Sequence, residues 1–175
     1  FDKDRAMRWS TFFGGTADDQ LNSAVVDLDD NLFVVGSTGS TDLPVINSGA
    51  GGYYDGSFNG GTSDIFIAKF SSANTQQYTT YFGGSGDEFY APSTDQGPHD
   101  GGCAIYDGEN LIFTGPTKSA DFPVYNVVPD NIFFHEEINR GLNGTREDAF
   151  LAVFGPGMQQ RFCTFWGGEQ DDRSR

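Results

Sequence analysis

The chain has 175 residues, with 25 acidic against 10 basic side chains, a net charge of −15 and a pI near 4.1. That balance excludes nucleic acid as a partner and excludes direct adsorption to anionic lipid. No apolar run approaches transmembrane length, so membrane insertion is not expected either.

In chain order, the first predicted element is Trp9-Ser-Thr-Phe-Phe-Gly-Gly15, an aromatic-Thr run that reads as a strand. It returns as Tyr78-Thr-Thr-Tyr-Phe-Gly-Gly84 and as Phe162-Cys-Thr-Phe-Trp-Gly-Gly168, each copy followed by an acidic pair: Asp18-Asp19, Asp87-Glu88 and Asp171-Asp172. Between the first two copies lie three more apolar runs, Ala24–Asp27, Leu32–Gly36 and Asp64–Phe70. Between the second and third copies the matching runs are Cys103–Tyr106, Leu111–Gly115 and Asp148–Phe154. All are rich in β-branched and aromatic residues and bounded by Gly, Asn, Asp or Pro.

The intervals between copies are 69 and 84 residues, and the difference is localised. Asn31, Gly36, Asp42 and Pro44 match Asn110, Gly115, Asp121 and Pro123 at an offset of 79, which places 10 extra residues between Glu88 and Cys103. Asn59 and Asp64 match Asn143 and Asp148 at an offset of 84, which places 5 more between Pro123 and Asn143. The unit is therefore a true internal repeat with insertions in its loops.

Each unit has four predicted strands, here named a to d. The a–b turn is tight and polar, and the c–d link spans 71–77 and 155–161. Weak alternation, above all in strand c, is expected of a sheet covered on both faces. Four such strands describe a propeller blade packed between two others. The expected fold is all-β: a β-propeller segment of about two four-stranded antiparallel blades plus flanking strands. Residues 1–15 are then the outer strand of a preceding blade, 16–84 the first full blade, 85–168 the second with its insertions, and 169–175 the start of a further blade.

The ordered motifs also resemble the bacterial β-propeller repeat (SBBP repeat) family: W/Y-S/T-T-Y/F-F-G-G, then Ala24-x-Val-Asp through Asn31-Leu-Phe-Val to Asp42-Leu-Pro44, then Asn59-Gly-Gly61 through Asp64-Ile-Phe-Ile-Ala-Lys-Phe70. The second unit departs from the pattern at its insertions, at Thr145 in place of Gly61 and at Val153 in place of Lys69. The resemblance implies a large secreted or cell-surface protein and no known catalytic residues.

Two units and a flanking strand cannot close a propeller of roughly four to eight blades. The chain is therefore expected to be a piece of a longer protein, with any targeting segment outside it. Cys103 and Cys163 are expected on the innermost and outermost strands of one blade, separated by three spacings of about 4.8 Å, beyond disulfide reach. Two free, largely buried thiols follow.

Function is expected on the face carrying the d–a and b–c connections, whose loops run 37–63, 83–102 and 116–147. Aromatic residues there, Tyr53, Tyr54, Phe58, Phe89, Tyr90, Tyr125, Phe133 and Phe134, lie beside carboxylates, a combination that suits a protein partner or a glycan. The competing reading is that these rings plug the loops onto the blade tops. The recurring acids Asp18, Asp19, Asp87, Glu88, Asp171 and Asp172 form a candidate calcium set, but turn capping accounts for them better. No metal site, cofactor, disulfide or catalytic constellation is expected. His99 and His135 lie in inserts, and Asn143-Gly-Thr145 is a glycosylation sequon whose first role is the turn entering strand c.

The expected function is a non-catalytic propeller segment of a secreted or cell-surface protein, a scaffold for adhesion or protein–protein contact. Its partners are neighbouring blades of the same or another chain, a protein, or a glycan. The alternatives are a structural subunit of an extracellular filament, and part of a polysaccharide-acting propeller enzyme with paired carboxylates.

Overall fold

The structure is a computed structural model and describes residues 4–49, 51–89, 102–127, 134, 135, 137 and 147–168. Among these the secondary structure is all β, with no helix. Strands β1 (Asp19–Val26), β2 (Leu32–Thr38), β3 (Asp64–Phe70) and β4 (Gln76–Phe82) form an antiparallel sheet in chain order. Strands β5 (Ala104–Tyr106), β6 (Leu111–Thr117), β7 (Tyr125–Asn126), β8 (Asp148–Phe154) and β9 (Gln160–Trp166) form a second sheet, ordered β5-β6-β8-β9-β7.

Strands a to d of each unit are thus β1–β4 and β5, β6, β8, β9. Strand d begins at Gln76 and Gln160, so the c–d link shortens to 71–75 and 155–159. Both links turn through a non-glycine residue at positive φ, Asn74 (63°) and Met158 (61°), at matching positions. Residues 5–15 pair in no sheet.

Strand pairing refines the repeat. Ala24 pairs with Val34, and Ala104 with Phe113. Strand a therefore matches at an offset of 80 while strand b matches at 79, and Cys103 corresponds to Ser23 rather than to Ala24. The a–b turn of the second unit is one residue shorter. The turn acid is accordingly Asp107, not Tyr106: Asp27 accepts from the amides of Asp29 and Asn31 and from the Asn31 side chain, and Asp107 accepts from Glu109 and Asn110 in the same way. A carboxylate folded back on its own turn is the expected chemistry there.

The two sheets pack face to face. Phe33, Val35, Ile65, Ile67, Tyr78 and Phe82 from the first meet Leu111, Phe113, Phe150, Ala152, Phe154 and Phe165 from the second in one buried core. Phe82 is at its centre, with ring centroids 5.6 Å from Phe113, 5.1 Å from Phe122, 6.3 Å from Phe150 and 5.4 Å from Phe154. The other face of the first sheet carries a second core of Val34, Phe66, Ala68, Phe70 and Tyr81, so β3 is buried on both sides and loses alternation.

That second core is covered partly by residues 5–15. Phe13, which matches Phe82, stands 5.2 Å from Phe66 and 5.8 Å from Phe70, and Trp9 stands 5.5 Å from Phe70. Phe66 and Phe70 are the counterparts of Phe150 and Phe154. The same aromatic joint is therefore built twice, once between the sheets and once between the first sheet and an aromatic segment that has no sheet of its own.

Candidate functional site

The b–c loops do not stay at one end of the sheets. Ile46 bridges to Thr79 and Tyr125 pairs with Cys163, at matching positions, so each loop runs down the outer edge of strand d. It then returns: the Asp55 carbonyl accepts from the Tyr81 amide at 3.1 Å, and the His135 carbonyl accepts from the Phe165 amide at 3.2 Å. His135 thus has Asp55 as its counterpart and is not peculiar to an insert. The loops cover an edge that otherwise offers a template for unwanted pairing.

This course decides where the aromatic candidates go. Tyr53 reaches the far end, donating its amide to the Met158 carbonyl at 2.8 Å while its ring packs edge-on to Phe82 and Phe154. Phe58 packs on Tyr81 and Phe134 on Phe162. Phe89 is 4% exposed and stacks on Phe150 at 16°, directly over Gly115, so it presents no ring surface to a ligand. Tyr54 and Tyr125 keep exposed rings, at 38% and 42%. Tyr90, Phe133, His99, Asn143, Asp171 and Asp172 lie outside the described residues. Cys163 is buried, its thiol pushed up by burial, but Cys103 is exposed, because the short edge strand β5 starts one residue after it.

The acidic pairs form a polar latch, made twice with the same bonds. In the first, Asp19 accepts from Thr38 Oγ1 (2.5 Å), Ser40 Oγ (2.9 Å) and the Gly15 amide (2.7 Å). Ser40 Oγ accepts from the Ala17 amide at 2.9 Å, and Asp42 Oδ1 accepts from the Thr16 amide and hydroxyl at 2.9 and 3.1 Å. In the second, Glu88 accepts from Thr117 Oγ1 (2.8 Å), from Ser119 Oγ and from the Gly84 amide (3.4 Å). Ser119 Oγ accepts from the Gly86 amide at 2.8 Å, and Asp121 Oδ1 accepts from Ser85 at 2.9 and 3.0 Å. Each latch ties the Gly-Gly turn after strand d to the end of strand b.

The latch residues were visible in the sequence only in part. The acids recur after Gly-Gly, but their partners, Thr38-x-Ser40-x-Asp42 and Thr117-x-Ser119-x-Asp121, follow a different offset. Their signal is that three polar residues alternate straight after an apolar strand in both units.

Further bonds from the first acid of the pair and its neighbours sew one unit to the next. Asp87 Oδ1 accepts from the Thr62 amide (2.7 Å) and hydroxyl (2.9 Å), and its Oδ2 lies 3.5 Å from Lys118 Nζ. Burial works to raise the Asp87 carboxyl, but the Thr62 bonds and the Lys118 charge hold it below the ordinary carboxylate range. The Glu88 amide donates to the Ser63 carbonyl at 2.9 Å, and Ser63 Oγ donates to the Glu88 carbonyl at 2.6 Å. Asp64 and Glu88 are both fully buried, and Glu88 Oε2 and Asp64 Oδ1 both face the space beside Gly83. Burial pushes both carboxyls up, Asp64 to about 7.

Asp19, Asp42, Asp87, Glu88 and Asp121 all accept from turn amides and hydroxyls, whereas Asp64 Oδ1 has no hydrogen-bond partner. Among the described residues no group of three or more His, Cys, Asp or Glu side chains could hold a metal. Asp18 has an exposed side chain, while its carbonyl accepts from the Gly39 amide at 2.8 Å. No helix of the described residues is long and apolar enough to cross a membrane. No protein-family model matches the chain, and no curated protein matches it.

Proposed function

We propose that the chain is two consecutive blades of a β-propeller in a secreted or cell-surface protein, working as a non-catalytic scaffold for adhesion or protein–protein contact. The carrying observation is the repeated aromatic joint, Phe13 on Phe66 and Phe70 and Phe82 on Phe150 and Phe154. A joint made twice at matching positions describes units that stack in series. The resemblance to bacterial β-propeller repeats and the acidic surface support the same reading.

The series does not end at the second sheet. Phe82 is fully buried, whereas its counterpart Trp166 is 60% exposed on the outward side of β9. The occupant that fits this face is a further unit of the same repeat, with aromatic residues where Phe150 and Phe154 stand. Two features support a scaffold over an enzyme. The long loops cover strand edges, and the closely packed acids Asp64 and Glu88 are buried beyond the reach of a glycoside.

Sedimentation velocity of the chain and of Trp166→Glu tests the reading. The parent is expected to self-associate with rising concentration through this face, and W166E to remain monomeric. A parent that stays monomeric at high concentration, or a variant that associates equally, contradicts it.

A further inference from the structure

We propose that Asp64 and Glu88 form a buried proton-binding site at the joint between the two sheets, holding one proton between them, and that loss of this proton toward alkaline pH loosens the joint. The geometry is specific. Asp64 opens β3 of the first sheet, and Glu88 bridges to Thr117 at the end of β6 in the second. Both side chains are fully buried. A Cβ built on Gly83 would fall 2.5 Å from Glu88 Oε2 and 3.1 Å from Asp64 Oδ1, so the two carboxyls converge on one point that only a glycine leaves open. At the corresponding glycine of the first latch, Gly14, the three atoms nearest such a Cβ all belong to Asp19.

The rest of the site accounts for every other oxygen. Asp64 Oδ2 accepts from the Asn59 amide at 2.5 Å, and both Glu88 oxygens are used by the latch. Asp64 Oδ1 has no hydrogen-bond partner when both acids are ionised. Two buried carboxylates that close repel, and a shared proton converts the repulsion into a hydrogen bond. Of the described residues, no Lys or Arg is among the charges acting on the pair. Lys118, next to Thr117 and Ser119, is turned to Asp87 at 3.5 Å and Glu147 at 3.2 Å. From the b–c loop Asp55 adds further negative charge toward Asp64, and the phenols of Tyr53 and Tyr81 also feel Asp64. Calcium needs six to eight oxygens, and the site offers two carboxyls already bonded to amides and hydroxyls.

The sign follows from linkage. A carboxyl whose folded value is raised contributes stability that is full below its free value near 3.8 and is lost as pH rises through about 7. One proton taken up on folding changes the folding equilibrium constant by roughly tenfold per pH unit within that window. Asp87, held low, works in the opposite direction and loses its contribution as pH falls.

The test compares urea unfolding from pH 4 to pH 8 for the parent, Asp64→Asn and Glu88→Gln, each with calcium and with a chelator. The folding constant of the parent should fall with pH relative to both variants, by about tenfold per unit over the window. Parallel curves for parent and variants overturn the proposal. Stabilisation of the parent by calcium that Asp64→Asn abolishes also overturns it, since a cation would then occupy the site. Should either variant fail to fold, the side-chain carboxyl carbon signals of the parent decide the question. One proton retained by the pair at pH 5 to 6 supports the site, and two ionised carboxylates at pH 5 exclude it.

Discussion

At the scale of single residues, position in the joint separates chemically similar side chains. Phe12 and Phe13 are neighbours, yet Phe12 is fully exposed while Phe13 packs on Phe66 and Phe70. Phe82 is buried among five aromatic rings, those of Tyr53, Phe113, Phe122, Phe150 and Phe154. Phe82→Ala is therefore expected to cost about 3–5 kcal/mol, a lost transfer term plus a cavity, while Phe12→Ser should stay within about 0.5 kcal/mol. Chemical denaturation of both variants checks this, and equal effects would remove Phe82 from its central place. The aromatic-Phe-Gly-Gly pattern marks both residues in the sequence, but a strand motif does not say which of two adjacent rings points into the joint. The pairing of Asp64 with Glu88 was equally hidden, because it joins different units and depends on how the sheets stack.

At the scale of elements, the strands were legible because their composition is unambiguous and their ends carry Gly, Asn or Asp. The one-residue slips were not. Aligning Asp27 with Tyr106 looks reasonable in the sequence, but the turn needs a short carboxylate, and Asp107 supplies it by shortening the hairpin. The course of the loops was not legible for a related reason. Their length alone does not show that backbone groups on the outer edge of strand d need partners and that the loops provide them. Ile46→Pro removes the donor to the Thr79 carbonyl, which sits 3.0 Å away. Hydrogen exchange should then accelerate at the Thr79 and Tyr81 amides and leave Ile65 and Ile67 in β3 protected. Uniform acceleration, or none, would mean that the loop does not cover this edge.

At the scale of the whole molecule, the repeat sets the architecture and the departures from it set the individuality of each unit. The four-stranded order appears in both units, and the second sheet adds β7 where the first has a single bridge at Ile46. Glu88 bridges to Thr117 as Asp19 pairs with Thr38, and β5 spans only Ala104–Tyr106. Cys103 lies just outside this shortened strand, and the expectation of a buried thiol failed there for that reason. What persists through these changes is the aromatic joint and the latch beside it, and both place one unit against the next.

Ring-to-ring nuclear Overhauser contacts in selectively phenylalanine-labelled protein measure that joint directly. Contacts are expected from Phe82 to Phe113, Phe122, Phe150 and Phe154, with a parallel set from Phe13 to Phe66 and Phe70. Contacts confined within each sheet, with none from Phe82 to Phe150 or Phe154, would contradict this arrangement.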